Sequence, residues 1–200
     1  MPRQAGSCRL SQTLGVAKTR VIVTEEESLL AAINADVALE DYDCSWPTKF
    51  AAEEHRLLCL FPSLLVGIEH IGSTAVPGLK AKPIIDLLAG VETMAVAESL
   101  AEPLQRSGYT TSAKFNATLF DRKWFMRWSN GLRTHHLHVV VHNSRAWYQR
   151  IKFRDALRAN DILAKRYVTL KIELAAKHHT DREAYTNAKA DFVRSVVGDA

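Results

Sequence analysis

A chain of 200 residues, 47% hydrophobic and 24% charged, is long enough to bury a core without disulfides and has the balance of an ordinary globular protein. No apolar run approaches the ~20 residues of a membrane span, and the basic N-terminal stretch (Arg3, Arg9, Lys18, Arg20) leads into no apolar segment of the signal-peptide kind, so a cytoplasmic protein with no membrane partner is expected. The net charge of +4 is a mild surplus that suits a phosphorylated small molecule, and nucleic acid is not the expected partner because no long basic stripe is interleaved with aromatics.

Residues 1–36 read as an extension, partly disordered or loosely packed. The first twenty are small, polar and basic without periodicity, and Val21–Ala35 has helical character. The domain proper, 37–200, opens with a short strand at Val37–Leu39 and a turn at Asp41–Asp43. Ser45-Trp46-Pro47 starts a helix, with Ser capping and Pro in the first turn; it buries Phe50, Leu57 and Leu58 and stops before Pro62. Leu64–Ile71 alternates as a strand with Val66, Ile68 and His70 on one face, and Gly72-Ser73-Thr74 breaks it. Pro77-Gly78 marks a turn. Pro83–Val91 is a short apolar run suited to a central strand covered on both faces.

Thr93 caps a helix carrying Val96, Ala97, Leu100 and Leu104, closed by Gly108. Thr118–Trp128 and Leu132–Val141 read as strands, joined by a hairpin at Ser129-Asn130-Gly131. Beyond Ser144 the chain is helical. One helix carries Trp147, Ile151 and Leu157, a second Leu163, Tyr167, Leu170 and Leu174. A third starts at the capping box Thr180–Glu183 and buries Tyr185, Ala188, Phe192 and Val196. The order predicts an α+β fold with a small mixed β-sheet flanked by helices and a helical C-terminal region.

Three features carry chemistry. Gly72-Ser73 directly after a strand exposes backbone amides and a hydroxyl, a turn able to hold phosphate. Asp86 interrupts an otherwise apolar strand, where a carboxylate needs a partner. His136 and His138 alternate onto one face of their strand with Thr134 and Val140, and such a pair can hold a metal or a phosphoryl group. Lys82, Arg122, Arg127 and Arg133 are candidates to neutralise phosphate. The odd cysteine count (Cys8, Cys44, Cys59), with no CxxC pair, points to reduced thiols and no cysteine zinc site.

The run Ile68-Glu69-His70-Ile71-Gly72-Ser73-Thr74-Ala75-Val76-Pro77-Gly78-Leu79-Lys80-Ala81-Lys82-Pro83-Ile84-Ile85-Asp86 resembles the hallmark of the GrpB family (UPF0157), a branch of the nucleotidyltransferase-like superfamily. So do Tyr42-Asp43 with Trp46-Pro47, Arg133–Val140, Phe153-Arg154-Asp155 with Leu157-Arg158, and Arg182–Tyr185 with Ala188-Lys189. The resemblance covers roughly residues 37–197 and implies a nucleotidyltransferase fold. In that superfamily a Gly-Ser turn holds the phosphates of a nucleotide triphosphate and a pair of acids binds two Mg²⁺ ions.

Gly72, Ser73 and Asp86 match this plan. The second acid does not: Leu88 stands in its place, and the later strand offers His136 and His138 instead. A set of Asp86, His136 and His138 would suit Zn²⁺ or Mn²⁺ better than Mg²⁺. Alternatively the histidines contact phosphate or move protons. Two readings stay open: an enzyme transferring a nucleotidyl or phosphoryl group to a small acceptor, and a non-catalytic module that binds a nucleotide or phosphorylated metabolite and assists a partner enzyme. Fusions of GrpB domains to dephospho-CoA kinase make the second CoA-related by family analogy.

Overall fold

In a computed structural model of the chain, residues 38–177, 184 and 187–198 are described. The expected extension (1–36), Val37, the capping box Thr180–Glu183 and Tyr185 lie outside them. The described elements are α1 (Trp46–Leu60), β1 (Gly67–Ile71), a 3-10 turn (Ser73–Ala75), β2 (Ile85–Val91), α2 (Met94–Ser99), α3 (Ala101–Arg106), β3 (Tyr109–Thr110), α4 (Ala113–Ala117), β4 (Lys123–Ser129), β5 (Leu132–Val141), α5 (Arg145–Ala159), α6 (Asp161–Lys177) and α7 (Ala190–Val197).

The strands form one mixed sheet in the order β1-β2-β5-β4-β3. β2 and β5 pair in parallel at its centre, and every other pairing is antiparallel. Alternation gives the sheet two apolar faces. Ile85, Leu87, Ala89, Val91, Leu137, Val139 and Phe125 pack with Trp46, Leu57, Leu100 and Leu104 of α1–α3. Leu88 and Val140 point the other way, against Ile71 and the Ala146 and Trp147 of α5. Farther out, Leu157, Tyr167, Leu163, Leu170 and Phe192 join α5, α6 and α7 over the loop residues Val76 and Leu79. The result is three layers, helices on both faces of the sheet.

Several expected elements end elsewhere. In place of the strand expected at Val37–Leu39, the described residues that follow form a single bridge, Glu40 to Ala81. Ser45 precedes α1, yet its hydroxyl bonds Asp43 (2.6 Å) and caps nothing. Leu58 is half-exposed beside the buried Leu57. β1 begins only at Gly67, because the amides of Leu64 and Leu65 turn back to the Phe61 carbonyl. The expected helix after Thr93 is two: Pro103, with no N–H, sits in the first turn of α3 and cannot donate to the Ser99 carbonyl, where the ladder is interrupted. Thr118–Arg122 is loop and not strand; Ser112 caps the short α4 and Thr118 bonds back to the Phe115 carbonyl. The hairpin is as expected, with Asn130 and Gly131 both at positive φ (51° and 74°).

Candidate active site

The centre of the sheet places the key side chains. β1 runs into Gly72, and Ile71 is paired with Asp86 across β1–β2. Asp86 is paired in turn with His136 across the parallel β2–β5 ladder, and Leu88 with His138. Asp86, His136 and His138 therefore share the face that α5 covers, as the sequence suggested.

Asp86 Oδ1 lies 2.9 Å from His136 Nδ1. Protein surrounds the carboxyl closely, although 26% of the side chain stays accessible at the mouth. Burial opposes its ionisation, but the hydrogen bond from His136 holds the carboxyl below its ordinary range. An ionised Asp86 accepts the proton on His136 Nδ1, which assigns the neutral ring's lone pair to Nε2. That Nε2 is buried and has no partner. The Trp124 ring lies beside His136 at 5.5 Å between centroids. Burial pushes His138 down to about 3, with Arg150 reinforcing it, so the ring is neutral. The rings of His136 and His138 stand edge-on at 6.5 Å.

The turn opposite is clamped from α5 and α6. Gly72 has φ 71° and ψ −170°, a conformation that favours glycine. Arg154 donates to the His70 carbonyl (2.9 Å) and to Glu69 (2.5 Å), and Arg158 donates to the Ala75 carbonyl (2.9 Å). Lys171, only 2% exposed, reaches the Ser73 hydroxyl (3.1 Å) and the Lys80 carbonyl and lies over the Tyr167 ring. Burial lowers its ammonium to about 7, aided by Lys189 and opposed by Asp86. Lys171 thus stands at the Ser73 hydroxyl, and the charge of Lys189 acts on both Lys171 and Asp86. Sequence reasoning missed both; the available signal was a lysine one turn after Tyr167 on the apolar stripe of α6.

The other candidates divide. Arg133 is buried on this face, with Nη1 near Met126 Sδ (3.9 Å), its guanidinium over Trp128 and its Nε without a partner. A bulge puts it there: Trp128 pairs with Arg133 while Arg127 pairs with His135, and the Thr134 hydroxyl bonds the Arg127 carbonyl. Arg122 stands at the entry to β4, half-buried, beside Asp121. Lys82 is half-buried on the approach to β2. Arg127 is corrected: it faces α1 on the far side of the sheet and pairs with the buried Glu53, which also takes Arg56 and the Tyr109 hydroxyl.

The donors do not fit the two-metal centre that the resemblance implies. Leu88 is wholly buried in an apolar cluster, and Asp86 commits Oδ1 to His136. Among the described residues no three His, Cys, Asp or Glu side chains converge to hold a metal ion, so the expected Asp86, His136 and His138 ligand set is not assembled. No helix among them is long and apolar enough to cross a membrane.

Comparison with known proteins places this geometry. The family model for GrpB protein matches residues 36–198. The glutamate-rich protein GrpB of Alkalihalophilus pseudofirmus is 33% identical, with 86% of this chain and 99% of that protein aligned. The UPF0157 protein YqkA of Bacillus subtilis is 33% identical over 80% of this chain, and the chain spans 46% of its length. A dephospho-CoA kinase of Mycobacterium bovis is 28% identical over 78% of this chain, covering 44% of the kinase. Among solved structures, the conserved protein GrpB from Enterococcus faecalis superposes with a TM-score of 0.71 at 32% identity, covering 80% of this chain and 94% of that one.

Proposed function

The chain belongs to the GrpB family, and we propose that its site transfers a nucleotidyl or related phosphoryl group to the hydroxyl of a small acceptor. The observation that carries this reading is the Asp86–His136 pair, bonded at 2.9 Å with the far nitrogen of the imidazole buried and unpartnered. A carboxylate that fixes the tautomer of a histidine and leaves Nε2 basic is the arrangement of a general base.

In the proposed reaction the amides and hydroxyl of Gly72-Ser73 seat the phosphates, with Lys171 and Lys189 opposing their charge. His136 Nε2 takes the proton of the acceptor hydroxyl. The acceptor oxygen attacks phosphorus, the bond to the leaving group breaks (pyrophosphate in nucleotidyl transfer, nucleoside diphosphate in phosphoryl transfer), and the electron pair departs with that group. Asp86 keeps the imidazole oriented and stabilises its cationic form. No step is routed through a metal, because the donors present do not fit one.

The buried Leu88, where a second acid would stand, favours a second reading: a module that binds a nucleotide or phosphorylated metabolite without turnover, assisting a partner enzyme. Calorimetric titration with nucleoside triphosphates in the presence of Mg²⁺, Mn²⁺ or Zn²⁺, followed by assay of released pyrophosphate and nucleoside diphosphate, tests both. Transfer requires binding and a turnover that Asp86→Asn and His136→Gln abolish in folded protein. Binding without turnover selects the second reading, and no binding under any condition overturns both.

A further inference from the structure

A second cluster of cations lies farther along the same face. Arg150 projects from α5 and Arg122 from the entry to β4, and both reach Asp121: Arg122 Nη1 to Oδ1 at 3.2 Å, Arg150 Nη2 to Oδ2 at 3.7 Å. Arg150 also donates to the Ala146 carbonyl (2.7 Å). The two guanidinium groups repel each other, and burial together with the Arg122 charge eases proton loss from Arg150. His138 lies within the field of both.

The polar accounts of this cluster do not close. Two permanent cations share one carboxylate, and Asp121 is more than half exposed (53%). Arg122 Nε and His138 Nδ1 are both buried and have no partner. Buried polar atoms without partners are uncommon in folded proteins and call for an explanation. A single tetrahedral dianion supplies what is missing: several acceptor oxygens, two negative charges, and a shape that guanidinium forks grip in pairs.

The geometry points to a second anion subsite, formed by Arg122, Arg150 and His138, that holds a phosphate group of the acceptor. His138 is one pleat along β5 from His136, so an acceptor anchored here carries its hydroxyl toward the Asp86–His136 pair. The acceptor class is accordingly a small phosphorylated alcohol. Asp121 acts as the subsite's internal counter-ion, displaced when the anion enters. The role as an acceptor subsite rests on the transfer reading; the binding of an anion does not.

Inorganic phosphate is the probe, followed by NMR at the His138 ring nitrogens, whose response is local to the subsite and independent of any turnover. Phosphate is expected to shift the His138 resonances saturably. Arg122→Gln and Arg150→Gln should each weaken that response at least tenfold, Asp121→Asn should strengthen it severalfold, and Lys171→Met, at the separate Ser73 turn, should leave it unchanged. A His138 signal that phosphate leaves unmoved, or an affinity that both arginine variants retain, overturns the subsite. Arg122 is partly exposed, so Arg122→Gln carries the test should Arg150→Gln fold poorly. A positive phosphate response in a protein that never turns over a nucleotide leaves the subsite standing and removes the transfer reading alone.

Discussion

The carboxylate of Asp86 occupies the space that a side chain on Gly72 would need. A Cβ built on Gly72 falls 3.0 Å from both Cβ and Cγ of Asp86 and nearer still to Oδ2, and Gly72 has φ 71°. The phosphate-type turn and the acid of the dyad are therefore in van der Waals contact, and glycine is what permits it.

Gly72→Ala meets two costs at once, positive φ and a collision with Asp86. A loss of about 2–4 kcal/mol is expected from the two effects together. Asp86 must swing away from His136 to admit the methyl group. Chemical denaturation measures the stability. The His136 Nδ1 proton resonance, which the Asp86 hydrogen bond shields from exchange, should be lost in the variant even below its unfolding transition.

Lys171→Met keeps the volume and removes the cation at Ser73. Phosphate affinity read at the Ser73 amide should fall at least tenfold, about 1.4 kcal/mol. The wild-type ammonium is held down to about 7, so at pH 8 it is mostly neutral in the free protein. Anion binding raises it, and the complex should take up protons at pH 8. Calorimetry in two buffers of different ionisation enthalpy measures that uptake, which the variant should lack.

Arg127 and Glu53 make a structural pair. Glu53 is 3% exposed and takes Arg56, Arg127 and Tyr109 together. Glu53→Ala leaves these partners uncompensated and should cost about 3–5 kcal/mol. Arg127→Met should lower thermal stability while phosphate titrations at Ser73 and His138 stay as in the wild type. An affinity change at either site would return Arg127 to the functional set.

Acid should unfold the domain through its histidines. His70 and His135 are pushed down to about 4 and His138 to about 3, in each case chiefly by burial. Unfolded histidine titrates near ~6.5, so the unfolded chain binds more protons across the interval between. Stability is fully present above pH ~6.5 and declines as pH falls toward 4, with an uptake on unfolding of about two to three protons near pH 5. Urea midpoints measured from pH 7 to 4 give the slope. His135→Gln should reduce the uptake by about one proton.

The parts of the site that lie within single strands were legible in the sequence. Period-two alternation placed His136 and His138 together, and Asp86 stood out because its neighbours were all apolar. The β2–β5 pairing that joins Asp86 to His136 involves residues 50 positions apart and follows from the sheet order, which local pattern does not carry. Arg127 was misjudged because alternation says which residues share a face but not what covers it; α1 brings Glu53 there. The Thr134 bulge moved Arg133 onto the His136 face against simple alternation. α4 went unseen because five residues make too short a helix for periodicity to register. Lys171 went unseen because a lysine on a helix reads as solvated until the burying partner, here the Ser73 turn, is known.

The bond between Lys171 and Ser73 closes a loop of 98 residues. During synthesis the turn leaves the ribosome well before the helix that completes it, and the sheet can form in between. A nascent chain or a fragment ending ahead of α6 lacks the lysine that reaches the Ser73 hydroxyl. The Ser73 turn is thus completed only when the C-terminal helices have docked.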